Sequence, residues 1–135
     1  MAGEKTRCNN QWTEAKFRSF IKGNLRQSSM KWAPINTVKE KARTRRGFYL
    51  CSECNQEVPA TIKEGRKRVK NVHVDHIHPV VDPAKGWEGW DVLIERLFCE
   101  EDGLRVLCAA CHKEVTDEEK RIAKERRAEE KRRNG

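Results

Sequence analysis

Apolar positions in this chain change their spacing several times, and each change marks a predicted element. Behind Trp12, the residues Phe17, Phe20, Ile21 and Leu25 recur at helical intervals, which predicts a helix over roughly 13–27. The stretch SSMKWAPIN ends it, with Pro34 as the stop. Asn36 or Thr37 is placed to cap a second, short and very basic helix, VKEKARTRR, closed by Gly47. The texture then changes. VPATI and RVKNVHVDHI read as two strands joined by the polar turn KEGRKR, and DPAKGWEG as a loop. Trp90, Leu93, Ile94, Leu97 and Phe98 make an amphipathic helix over about 88–99, GLRVLC is a short strand, and a long helix begins near Ala109. Residues 1–10 are polar and read as disordered. The tail DEEKRIAKERRAEEKRRNG has Ile122 as its one large apolar residue and reads as a solvated helix laced by i,i+4 charge pairs.

The predicted class is therefore α+β, in three segments: a basic helical extension (1–46), a core (47–116) and a charged helical tail (117–135). With 36% hydrophobic and 37% charged residues, the core has little apolar material and calls for a staple such as a metal. Lysine and arginine outnumber aspartate and glutamate by 29 to 21, a net charge of +8, which favours a polyanionic partner, nucleic acid before membrane. No apolar run approaches the roughly 18 residues of a membrane span, and MAGEKTRCNN does not read as a secretory signal. A reducing, cytoplasmic setting is expected, where disulfides rarely persist.

That setting bears on the six cysteines. Cys51-Ser-Glu-Cys54 and Cys108-Ala-Ala-Cys111 are two C-x2-C pairs, each able to form one knuckle, and together they suit a closed tetrahedral zinc site. Four thiolates and one dication would take the net charge from +8 to +6. Cys8 reads as an idle thiol and Cys99 as a buried structural cysteine. The second concentration of chemistry is NVHVDHIHPVV, with His73, Asp75, His76 and His78 within six residues.

Taken in order, CSEC, VDHIHP and LCAACHKEVT resemble the HNH endonucleases with a ββα-metal fold, in particular small phage-encoded members that carry a four-cysteine structural zinc. The resemblance covers roughly Gly47 to Thr116. It implies an HNH core with N-terminal helices and a long C-terminal helix, and a phosphodiester hydrolase acting on DNA with little sequence preference. It further implies Asp75 and His112 as ligands of a catalytic divalent metal (magnesium, manganese, nickel, cobalt or zinc), His76 as the general base, and products with 5′-phosphate and 3′-hydroxyl ends. Phage packaging proteins are partners by the same analogy, in an infected host cell. The chain departs from the family at Gly103, where an asparagine is usual; Asp102 is the neighbouring candidate to replace it. His73 and His78 are candidate phosphate contacts or extra ligands, and Arg45, Arg46, Arg66, Lys67 and Arg68 candidate DNA contacts. The four tryptophans read as packing residues. Two rival readings are a non-catalytic zinc module that grips nucleic acid and a nuclease that resolves branched DNA.

Overall fold

The computed structural model describes residues 3–134. Its compact units divide between Trp32 and Ala33. The first contains β1 (Lys5–Arg7), β2 (Trp12–Thr13) and α1 (Glu14–Ser29). Thr13 caps the helix by accepting the Lys16 N–H at 3.1 Å. The expectation of disorder over residues 1–10 fails for its described part: β1 pairs with β2 through a turn in which Cys8, Asn9 and Asn10 take positive φ. Arg7 holds that hairpin to the helix, bonding Glu14 at 2.9 Å and lying 4.2 Å from the centre of the Phe17 ring.

The second unit begins with α2 (Ala33–Ala42). Pro34 sits in its first turn, where a missing N–H costs nothing, so it opens this helix and the preceding one ends earlier, at Ser29. Thr37 lies inside the helix, its hydroxyl donating to the Ala33 carbonyl at 3.2 Å, and caps nothing. The helix also stops short of Gly47. Arg43–Arg45 is a strand, β3, that turns at Gly47 (φ +81) to pair with β4 (Phe48–Leu50), which pairs in turn with β5 (Glu57–Pro59).

The next segment departs furthest from its predicted form. VPATI breaks at Ala60 into β5 and β6 (Thr61–Glu64), and RVKNVHVDHI breaks at Asn71 into β7 (Lys67–Lys70) and β8 (Val72–His76). β6 and β7 form a hairpin of their own, while β8 pairs antiparallel with β9 (Leu104–Cys108), from Val72↔Cys108 to His76↔Leu104. Asn71 makes the break. It is buried, its N–H donates to the Ala60 carbonyl, its side-chain amide donates to the Pro59 carbonyl at 2.9 Å, and its backbone carbonyl accepts from Ala109 at 2.9 Å. One residue thus ties the end of β5 to Ala109, where the C-terminal helix starts. Replacing Asn71 with alanine strands buried polar groups, so a loss of about 1–3 kcal/mol is expected in a denaturant melt.

α3 (Trp90–Leu97) buries Leu93 and Leu97, a 3-10 turn spans Glu101–Gly103, and α4 (Ala109–Asn134) follows β9 without a loop. Beyond its first turn α4 is held by surface pairs such as Lys113–Asp117 and Arg121–Glu125, as its composition predicts. The chain is thus α+β, with four α-helices and small antiparallel sheets among its described residues. Nine hydrophobic residues are buried among the described ones, and three of them are cysteines: Cys51, Cys108 and Cys111, which pack with Leu107, Val58 and Val115. So thin a core leaves the cysteines to supply much of the cohesion. Among the described residues no helix is long and apolar enough to cross a membrane.

Candidate metal centre and active site

The two knuckles converge. Cys51 follows β4, with Asn55 in a positive-φ conformation (φ 58) that closes the first turn by donating its N–H to the Cys51 carbonyl. Cys108 ends β9 and Cys111 lies in the first turn of α4. Ser52 donates its N–H to the Val106 carbonyl at 2.9 Å, which sets the knuckles side by side. The four sulfur atoms all lie within 4.8 Å of one another. Zinc–sulfur bonds of ~2.3 Å give a tetrahedron with edges of ~3.8 Å, so the cluster fits such an ion with small contraction. These four cysteines can hold a structural metal.

Electrostatics favour a thiolate at one of them. Burial opposes charge on Cys51, but backbone N–H groups of Cys54, Cys108 and Glu53 outweigh it and bring its pKa down to about 6. The Cys108 N–H lies 3.3 Å from that sulfur. Cys111 is pushed up instead, chiefly by its hydrogen bond to Cys108 and by burial. Cys8 and Cys99 are not members of the cluster. Cys99 is half-buried rather than buried, and its thiol is pushed up by that burial.

Because α4 starts at the knuckle, Cys111 fixes the residue after it, His112. On the paired strand, alternation turns His73 and Asp75 to the side that His112 faces. The His73 and His112 rings stack with centres 4.6 Å apart, and His112 Nε2 lies 4.0 Å from Asp75 Oδ1. That gap is long for a hydrogen bond. It is close to twice the ~2.1 Å bond that a divalent cation makes to nitrogen or oxygen. Arg105, directly across the ladder from Asp75, bonds its other oxygen at 3.4 Å and reaches Glu53 of the first knuckle at 3.5 Å. His73 is held toward its neutral form by burial, then by the charges of His112 and Lys70.

His76 lies on the opposite face of β8, with Nε2 3.0 Å from the Leu97 carbonyl. A carbonyl only accepts, so Nε2 carries a proton, and in the neutral ring that leaves the lone pair on Nδ1. His78 lies past the end of β8 and is exposed, so strand alternation does not extend to it. Glu119, passed over in the solvated tail, belongs to the same neighbourhood as Asp75. Its carboxyl is pushed up first by burial and then by the charge of Asp75, and His112 and Arg105 oppose the shift. The signal available in the sequence was its place seven residues, two helical turns, after His112.

Gly103 has a steric reason. A Cβ there would lie 2.9 Å from Cys99 Sγ and 3.1 Å from Cys99 Cβ. The cysteine occupies the space that a side chain at 103 would need, and Asp102 beside it is exposed. Gly103→Asn is expected to destabilise by about 1–3 kcal/mol through overpacking, and adding Cys99→Ala should recover part of the loss in a thermal melt.

The candidate DNA contacts divide. Arg45 bonds Glu57 at 2.9 Å and lies over the Phe48 ring, Arg46 is exposed, Arg66 and Lys67 sit at the β6–β7 hairpin tip, and Arg68 bonds Thr61. Trp12 packs edge-on against Phe20, as does Trp87 against Trp90. Comparison with protein-family models, curated proteins and solved structures finds no match for the chain.

Proposed function

We propose that the chain is a divalent-metal-dependent endonuclease of the HNH type that hydrolyses DNA phosphodiesters with little sequence preference. The observation that carries this reading is the approach of His112 to Asp75, 4.0 Å apart where the antiparallel pair β8–β9 meets a helix that begins at a cysteine knuckle. Asp75 and His112 are the residues that would hold the cation, which when bound neutralises charge on the phosphate oxygens. Two protein ligands leave room for phosphate and water. Arg105 orients Asp75 by donating to its other oxygen. His76 is the base: Leu97 fixes its ring through Nε2, and Nδ1 takes the proton of the attacking water. The four-cysteine site acts through position, since it sets the start of α4 and therefore His112.

One observation favours a second reading. His76 and Asp75 point to opposite faces of β8, which suits a module that grips nucleic acid without cutting it. The two part on a labelled linear duplex, supplied with magnesium, manganese or nickel, beside a four-way junction of the same sequence. A nuclease yields 5′-phosphate ends that depend on the added metal, while a gripping module only retards the DNA. Cleavage confined to the junction would mark a resolving enzyme.

A further inference from the structure

The hairpin β6–β7 stands apart from the rest of its unit. Among the described residues its strands pair only with each other, and every residue in them except the half-buried Val69 is exposed. Isolated two-stranded ribbons are marginal in water, and this one buries almost nothing.

Its register sorts the side chains. Thr61 pairs with Lys70 and Lys63 with Arg68, while Ile62 pairs with Val69 and Glu64 with Lys67. Directly opposed residues share a face, so one face carries Thr61, Lys63, Arg68 and Lys70. The apolar pair and the only acid lie on the other. Lys63 opposite Arg68 is a like-charge pair, which destabilises a ribbon unless an anion lies against it. Among the described residues no carboxylate comes within ion-pair distance of Lys63, Arg68 or Lys70. The other basic run is different: Lys41, Arg43 and Arg45 pair with Glu101, Glu40 and Glu57. Arg68 is also held in place, with Nε on the Thr61 hydroxyl at 3.0 Å and a second nitrogen on the Thr61 carbonyl at 3.2 Å.

We infer that this ribbon is the element that docks the chain on duplex DNA, seating its Lys63, Arg68 and Lys70 face against the phosphates lining a major groove. A B-form major groove, about 12 Å wide, admits a two-stranded ribbon, whereas the deep, narrow major groove of A-form RNA does not. The ribbon runs through Asn71 directly into β8, the strand that bears Asp75, so docking it sets the duplex relative to that strand. This inference rests on the DNA partner of the proposed function and not on cleavage.

The test is fluorescence anisotropy with zinc-loaded full chain and a labelled 20-bp duplex, with no other divalent metal. Lys63→Gln/Arg68→Gln/Lys70→Gln is compared with a charge-matched control on α4, Lys120→Gln/Lys124→Gln/Arg127→Gln. Unchanged circular dichroism and zinc content verify folding. The ribbon triple is expected to weaken binding by roughly tenfold or more and to lower the slope of log affinity against log salt by about 2–3, as three lost phosphate contacts require. The control should shift affinity by no more than about threefold, and an A-form RNA duplex of the same length should bind wild type about tenfold more weakly. Equal losses for both triples, an unchanged salt slope, or RNA bound as tightly as DNA would each overturn the inference. Ribbon-dependent binding by a protein that never cuts would leave this inference standing and remove only the nuclease reading. Cleavage with ribbon-independent binding would do the reverse.

Discussion

Cys54→Ser is expected to cost the second unit its cooperative fold. Cys54 is the exposed member of the cluster, so removing its sulfur sacrifices little packing, and any large effect reports the lost ligand. The case for a large effect is the thin core, in which Cys51, Cys108 and Cys111 are themselves buried. Structural zinc contributes about 10–16 kcal/mol in small domains, against total stabilities of about 5–15 kcal/mol. Without a complete ligand set, the knuckle that starts α4 has no reason to close. Circular dichroism melts, with zinc quantified in the same samples, should show low zinc content and no sharp transition. A variant that melts like wild type while holding no zinc would refute the staple.

His112→Ala is expected to behave in the opposite way, keeping its fold and losing its activity. His112 is about one-third exposed and outside the cysteine cluster, so its removal sacrifices the stacking on His73 and little else. Zinc content and melting temperature should stay near wild type. Cleavage should fall by about a thousandfold, the scale of several kcal/mol that a cation contributes to transition-state charge. Asp75→Asn should match it, because an amide keeps the shape and abolishes the charge. The two losses together should be far from additive, since either change removes the same ion. A His112→Ala protein that cuts at the wild-type rate would take His112 out of the site.

How much of this was legible beforehand depends on where the physics resides. The periodicity of Phe17, Phe20, Ile21 and Leu25, and of Leu93 and Leu97, is local, and so α1 and α3 appear within a few residues of their predicted ends. The cysteine spacing is local too, and the two knuckles do meet. Strand partners are not local. Nothing near RVKNVHVDHI says that β8 prefers β9 over the neighbouring β6, because that choice depends on Asn71 finding Pro59 and Ala109 across the fold. Pro34 opens α2 instead of stopping α1 for a related reason: a proline is as acceptable in a first turn as it is beyond a last one. Glu119 was hidden by composition, one acid in a charged tail, until the helix placed it near Asp75.

A phosphodiesterase centre built from Asp75, His76 and His112 should reveal itself on supercoiled plasmid. Zinc-loaded wild type and His76→Ala are incubated side by side with magnesium, manganese or nickel. Relaxed or linear plasmid that forms with wild type and an added metal, and fails to form with a folded His76→Ala, is the expected result. Plasmid that stays supercoiled with every metal, or is cut equally well by His76→Ala, would contradict it.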